Sequence, residues 1–216
     1  MSHGVDHLFY IVLGVVTFFF VLVEVLLVVF LVRYRRTRTN VVGVNVHGNT
    51  KFEIVWTAIP AAILVFLGVL SVRYVYGLQT PPSTPYVIQV VGHEWYWEFK
   101  YPNGVDLHND LRIPAGQNVL FDITSKDVIH GFYIPEARIQ QDAVPGRQTQ
   151  FWVNAETQNI ATPAEYGKQF LVPCDQFCGV GHPNMVAHLT VMSPSDFNSW
   201  LSTELQKQNA ANSSNQ

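Results

Sequence analysis

Two thiols, one imidazole and one thioether fall within twelve residues, in the stretch CDQFCGVGHPNM at 174–185. Soft sulfur donors combined with imidazole select copper, zinc or iron–sulfur centres. Zinc sites are built from cysteine, histidine and carboxylate rather than methionine. Iron–sulfur clusters want more cysteines than the two this chain holds. Cysteine, histidine and a weakly bound methionine are instead the ligand set of a mononuclear blue-copper centre. Such a centre needs one thiolate, yet Cys178 follows four residues after Cys174. A second thiolate allows two sulfur bridges between two coppers, and that arrangement asks for a second histidine. His130, in the upstream stretch SKDVIHGFYIP, is the best candidate. Against the metal stands a structural disulfide, the usual fate of two cysteines in an oxidising compartment. A disulfide does not ask for the Gly-x-Gly-His-x-x-Met that surrounds these two.

A loop of this kind has to be held by strands. Residues 168–172 and 186–192, on either side of it, read as short strands, as do 86–91, 94–101, 118–123 and 148–153. In 94–101 the aromatics Trp95, Trp97, Phe99 and Tyr101 alternate, which puts them on one face of a strand. Many short strands broken by Gly, Pro and Asn suggest a β-sandwich or barrel. Ser193-Pro194 opens a short helix, with serine as cap and proline at the first helical position. Its Phe197, Trp200 and Leu201 share one side. The tail 206–216, rich in Asn, Ser and Gln, is expected to be disordered.

The rest of the chain is of another kind. Only 13% of its 216 residues are charged and 48% are apolar, against about 25% charged in an ordinary soluble domain. Net charge is −3, which argues against a nucleic-acid binder living on phosphate contacts. The apolar excess sits in two runs. Residues 8–32 carry one charge, Glu24, and residues 54–72 carry none. At about 1.5 Å per residue both are long enough to cross a bilayer core of about 30 Å. Pro60 lies inside the second, where membrane bundles tolerate a kink. The start, MSHGVDH, has no Lys or Arg, so the first run reads as a retained helix and not a cleaved signal.

Arg33, Arg35, Arg36, Arg38 and Lys51 crowd the loop 33–53 between the runs. The positive-inside rule puts that loop in the cytoplasm and both termini outside. Residues 1–79 thus form a transmembrane hairpin, and TPPSTP at 80–85 forms a linker. Residues 86–205 form an extracytoplasmic domain. From Thr80 onward 13 Asp and Glu face 7 Lys and Arg, a net charge of −6.

With these residues in place the chain resembles subunit II of the haem–copper oxidases, the cytochrome c oxidase family. The resemblance covers nearly the whole chain, to about Leu205. It rests on the loop Cys-x-x-x-Cys-x-x-x-His-x-x-Met (Cys174, Cys178, His182, Met185), on the Asp-Val-x-His pattern (Asp127, Val128, His130), on GHEWYWEFKY and on EIVWTAIPA. It implies a membrane-anchored, mainly β protein: a two-helix hairpin carrying a cupredoxin-like Greek-key β-sandwich with a binuclear copper A centre. It further implies Cys174 and Cys178 as bridging ligands, and His130 and His182 as one imidazole for each copper. Met185 and the Gln176 carbonyl are then weak axial ligands. Trp95 matches the tryptophan that receives electrons from cytochrome c. Glu53 matches a glutamate at the mouth of a proton path in subunit I, although a charge at a helix N-terminus needs no more than the helix dipole to explain it.

Many members have Glu where this chain has Gln176. A glutamine keeps its backbone carbonyl but offers a hard cation a poor side chain, which leaves the family's magnesium site in doubt. The Cys-x-Gln-x-Cys-Gly-x-Gly-His-x-Asn-Met pattern resembles the copper loop of B-type members. The implied function is electron input to a terminal oxidase of the plasma membrane. Electrons come from cytochrome c or a similar soluble donor and pass to haem in subunit I, where oxygen is reduced to water and protons are moved. The chain carries no Cys-x-x-Cys-His for a haem of its own. The alternative is a membrane-anchored mononuclear cupredoxin carrier, against which the second thiolate and the second helix speak.

Overall fold

The structure, a computed structural model, describes residues 2–35, 48–80 and 84–214. Most of the basic loop, including Arg36 and Arg38, lies outside the described residues, as do residues 81–83 of the linker. The chain divides into two compact units, residues 3–75 and the remainder.

The first unit is helical. α1 spans Ser2–Arg33 and α2 spans Thr50–Gln79, each enclosing one of the apolar runs. Their Phe, Leu and Val side chains stand exposed all round, Phe20 and Leu64 among them. An apolar surface of that extent is untenable in water and natural in lipid. Both helices are long and apolar enough to cross a membrane. Pro60 sits inside α2 without ending it, and Glu53 lies in its first turn, where a negative charge complements the helix dipole. Glu24 lines an otherwise apolar cavity of about 510 Å³ with Phe20, Pro60 and Leu64.

The second unit is a β-structure closed by one helix. Its strands are β1 (Tyr86–His93), β2 (Tyr96–Lys100), β3 (Asp106–His108), β4 (Asp110–Pro114), β5 (Val119–Ser125), β6 (His130–Ile134), β7 (Ile139–Ala143), β8 (Thr149–Val153), β9 (Gln169–Pro173) and β10 (Val186–Met192). One sheet has the order β3-β2-β1-β5-β8, a second β4-β10-β9, and β6-β7 forms a two-stranded ribbon. β1 pairs with β5 in parallel from Tyr86↔Val119 to Gly92↔Ser125, and β4 with β10 from Asp110↔His188 to Pro114↔Met192. The other pairings are antiparallel.

The β-sandwich expectation holds. Alternation along β2 buries Trp97 and Phe99, as its aromatic spacing required. Phe132 of β6 is fully buried and touches the rings of Trp97, Phe99, Phe121 and Phe151 at centroid distances of 5.1, 6.2, 5.5 and 5.9 Å. Such ring pairs add roughly 0.5–1.5 kcal/mol each beyond area burial. Trp97 brings this aromatic floor against His130 at the start of β6, with ring centroids 5.8 Å apart.

Two expectations are corrected. The aromatic stretch 94–101 is not one strand: Glu94 and Trp95 form the turn from β1 to β2, so Trp95 leaves the strand face that holds Trp97 and Phe99. The tail is not disordered through its described part. α3 runs Pro194–Ser214, capped by Ser193, whose hydroxyl oxygen accepts the Asp196 amide at 3.2 Å. Glu204, Leu205, Gln206, Lys207, Ala210 and Ala211 are good helix formers. A long-range tie outweighs the polar composition: Gln208 hydrogen-bonds both the amide and the carbonyl of Asp106, at 3.2 and 2.7 Å.

Candidate metal centre

The loop between β9 and β10 is a hairpin loop whose ends are pinned by the ladder below it, where Pro173 faces Val186. Cys174 donates its amide to the Met185 carbonyl at 2.9 Å, so first and last candidate ligands are joined at the neck. Successive turns, Gly179 to His182 and Gly181 to Asn184, coil the far half into a short 3₁₀ segment, His182–Asn184. Pro183 favours that helical start. β6 approaches from the side through a bridge between Phe132 and Cys174 and a bond from the Asp175 amide to the Gly131 carbonyl at 3.1 Å. Gly131 lets the loop pack close: a Cβ there would displace the Asp175 carboxylate and crowd the Gln176 amide at 3.0 Å.

The candidate donors converge. Cys174 Sγ and Cys178 Sγ are 3.8 Å apart and both thiols are free. His130 Nδ1 stands 4.0 Å from Cys174 Sγ, and His182 Nδ1 stands 3.5 Å from Cys178 Sγ. Met185 Sδ is 3.8 Å from Cys178 Sγ, and the Gln176 carbonyl is 3.2 Å from Cys174 Sγ. Both cysteines, His130 and Met185 are buried. Six expected ligand groups thus share one site, split into two sets around a pair of sulfurs. His130 leads β6 and came from 44 residues away in sequence.

The electrostatics fit a cation site. Burial opposes ionisation of Cys174, but hydrogen bonds from His130, the Gly131 and Gln176 backbone and His182 outweigh it and bring the thiol down to about 7. Burial and then the neighbouring Cys174 charge push Cys178 up to about 12. Cys178 is therefore the thiol that keeps its proton in the metal-free site, and a cation bound by both sulfurs has to displace it.

His130 is held from behind. Its Nε2 meets Asp127 Oδ1 at 2.8 Å, which turns Nδ1 toward the sulfurs. The same carboxylate accepts the Glu94 amide at 2.7 Å and the Val128 amide at 2.6 Å. Burial works against the Asp127 charge, but these bonds hold its carboxyl below the usual carboxylate range. Gly92 leaves room for the His130 ring, since a Cβ there would lie 2.7 Å from His130 Cδ2. An aspartate three residues before a ligand histidine was a visible pattern; that it fixes the ring orientation was not.

Trp95 lies against the same loop. Its Nε1–H donates to the Cys178 carbonyl at 3.0 Å. His93 stacks on Tyr96 at 4.6 Å and bonds Glu98 at 3.2 Å. His108 comes together with Glu98 and Asp106. Lys100 already neutralises Glu98 at 3.2 Å, and the group is open to solvent. Glu53 belongs to the helical unit, in the first turn of α2.

Comparison with known proteins agrees with both halves of the chain. Residues 1–74 match the family model of the cytochrome c oxidase subunit II transmembrane domain, and residues 105–192 match that of the subunit II periplasmic domain. A probable cytochrome c oxidase subunit 2 of Rickettsia bellii is 32% identical, covering 92% of this chain and 77% of that protein. One from Rickettsia felis is 31% identical, covering 77% of this chain and 57% of that longer protein. The cytochrome c oxidase subunit 2 of Thermostichus vulcanus is 29% identical over 91% of this chain and 73% of its own. Among solved structures, the periplasmic domain of subunit II of cytochrome oxidase from Bradyrhizobium japonicum shares the fold. It has a TM-score of 0.50 and 24% identity, covering 59% of this chain and 99% of that one.

Proposed function

This chain belongs to the cytochrome c oxidase subunit II family, and we propose that its β-domain holds a binuclear copper A centre through which electrons enter a terminal oxidase. The observation that carries this reading is the convergence of six donor groups on two free thiols 3.8 Å apart. Cys174 and Cys178 would hold the two copper ions as thiolates. His130 and His182 would supply one imidazole to each, and Met185 Sδ and the Gln176 carbonyl would be weaker donors that tune potential. When bound, the pair accepts and returns one electron at a time.

The residues themselves do the rest. Asp127 fixes the His130 ring so that only Nδ1 faces the sulfurs. The aromatic floor and the β9–β10 ladder hold the loop rigid, so that the ligands move little when charge arrives. Burial of both cysteines keeps water from the sulfurs. Trp95, part-exposed and bonded to the Cys178 carbonyl, is the residue at which we place electron arrival from a soluble donor such as cytochrome c. The domain's net charge of −6 from Thr80 onward suits a basic donor. Electrons then leave for haem in subunit I, where oxygen is reduced.

The protein is a membrane protein with an extracytoplasmic domain. We further place both termini outside the plasma membrane, from the basic residues flanking the hairpin loop. Glu53, in the first turn of α2, is proposed at the mouth of a proton path. At Gln176 the neutral side chain argues against a magnesium ligand.

The test is to load the full-length chain with copper, count copper per chain and record its electron paramagnetic resonance spectrum. Two coppers sharing one unpaired electron are expected. One copper with a mononuclear blue spectrum would leave the cupredoxin carrier, and a Cys174–Cys178 disulfide without copper would remove both.

A further inference from the structure

Glycines that a backbone requires announce themselves by positive φ. Gly179 is one, at φ +112°. Gly181 is not: it has φ −88° and ψ 0°, a conformation open to every residue. Nothing in its own backbone asks for glycine. What asks for it is the tryptophan above it. An ideal Cβ on Gly181 would lie 2.5 Å from Trp95 Cγ and 2.6 Å from Cε3, and against Cδ2 as well. These atoms belong to a rigid fused ring near its point of attachment, so no flexible end can swing away. Restoring ordinary contact near 3.5 Å obliges the indole to retreat by about 1 Å. Gly179 faces the same ring: an ideal Cβ there would lie 3.3 Å from Trp95 Nε1, tighter than ordinary contact. Both glycines thus lie against the indole, whose Nε1–H reaches the Cys178 carbonyl at 3.0 Å.

We propose that Gly181 is a positioning residue for Trp95: its missing side chain is the seat that brings the indole into hydrogen-bond contact with Cys178. This rests on Trp95 being where electrons enter. The continuous route it sets up is short. It runs from the indole through Nε1–H to the Cys178 carbonyl, then through Cα and Cβ to Sγ. Cys178 Sγ is itself a proposed copper ligand, so the indole connects to the centre through one hydrogen bond and the covalent frame of one residue. An alanine at 181 leaves every ligand atom in place but lifts the ring, stretching that bond beyond its 3.5 Å limit. No bond is made or broken in the transfer; one electron passes from donor to copper, and the glycine acts only on the distance.

The test uses the assembled oxidase with Gly181→Ala, Trp95→Ala and the double variant. Four readouts are taken: copper content and spectrum, the position of the Trp95 ring in the variant structure, the rate of copper reduction by reduced cytochrome c, and the later transfer from copper to haem. Gly181→Ala is expected to keep both coppers and their spectrum and to leave copper-to-haem transfer unchanged. It displaces the ring, and it slows reduction by cytochrome c by roughly 10–100-fold, the usual consequence of misplacing a reacting group by about 1 Å. In a Trp95→Ala background the methyl has nothing to strike, so the second substitution adds no further loss.

A slow Trp95→Ala beside a Gly181→Ala enzyme reduced at the parent rate, or with its ring unmoved, overturns the seat while sparing Trp95. A Trp95→Ala enzyme reduced at the parent rate overturns electron arrival at Trp95 itself. If Gly181→Ala fails to assemble or loses copper, the double variant decides: assembly with both coppers supports the seat, and continued failure overturns it.

Discussion

Asp127→Ala is the substitution that best separates ring orientation from mere presence of the ligand. Truncation removes four bonds to the carboxylate: from His130 Nε2 at 2.8 Å, the Glu94 amide at 2.7 Å, the Val128 amide at 2.6 Å and the Ser125 hydroxyl at 3.4 Å. Its side chain is 32% exposed, so water can replace part of what is lost. Hydrogen bonds to a charged group contribute roughly 1.5–3 kcal/mol when dry, and partial exposure reduces the net fold cost to about 1 kcal/mol. The metal should feel more. A partner that orients a ligand histidine is worth roughly 10–100-fold in metal affinity, which is about 1.4–2.8 kcal/mol. Asp127→Asn should fall between, because its amide oxygen can still accept from His130 while its NH2 opposes the Glu94 amide. The assay is copper titration of the full-length chain against a competing chelator, with thermal unfolding of the metal-free chain alongside. The fold component also has a pH signature. The folded pKa of Asp127 is depressed, so its stabilisation is present above about pH 4 and is lost as pH falls through the folded value. The gap between parent and Asp127→Ala in the metal-free state should close in acid. Parent-like copper affinity in Asp127→Ala, with an intact fold, would refute the orienting role.

Met185→Leu should keep two coupled coppers and cost the fold less than about 1.5 kcal/mol, since volume is conserved at this fully buried position. The copper potential should rise with loss of the axial sulfur, which redox titration reads directly. Cys178→Ser should abolish the binuclear spectrum while leaving far-ultraviolet circular dichroism intact; two coupled coppers in that variant would sink the ligand assignment. Phe132→Ala empties the centre of the aromatic floor and should cost about 3–5 kcal/mol, seen as a large drop in unfolding temperature. Asp106→Asn should stabilise the metal-free chain near neutral pH, because burial and then the Glu98 charge raise the Asp106 pKa. A carboxylate with a raised pKa loses stability as pH rises through it, so the benefit of the substitution should vanish below about pH 4.

The loop ligands were legible because four of them are local: Cys174, Cys178, His182 and Met185 lie within twelve residues, and their types alone narrow the metal. β10 was found at its true bounds because its apolar run is long and cleanly punctuated. β3, β4, β6 and β7 were not found. Their sequences, DLH, DLRIP, HGFYI and IQQDA, are short or carry glycine, proline or charge; β6 and β7 pair with each other across a short connection, while β4 depends on a distant partner. β4, for example, exists by pairing in parallel with β10, about 80 residues on. The helical tail was misjudged for the same reason. Its polar composition is local, while the Gln208 bonds to Asp106 that secure it reach across 102 positions.

Three separate turns meet at the site, and their meeting explains why its supporting residues escaped the sequence. The β1–β2 turn brings Glu94 and Trp95, the β5–β6 turn brings Asp127 and His130, and the β9–β10 loop brings the remaining ligands. Asp127 grips the first two at once, through the Glu94 amide and His130 Nε2. Trp95 grips the first and third, through the Cys178 carbonyl. The residue that orients one ligand therefore also anchors the backbone just before the residue assigned to electron arrival. Movement of either turn is felt at both. Such a linkage is made of spatial neighbours drawn from three stretches of chain, so no single spacing encodes it. It also follows that damage at Asp127 should not stay confined to copper affinity. With the Glu94 amide released, the Trp95 turn loosens from the β5–β6 side while its bond to Cys178 remains. Copper-loaded Asp127→Ala should then accept electrons from cytochrome c more slowly than its copper content alone accounts for.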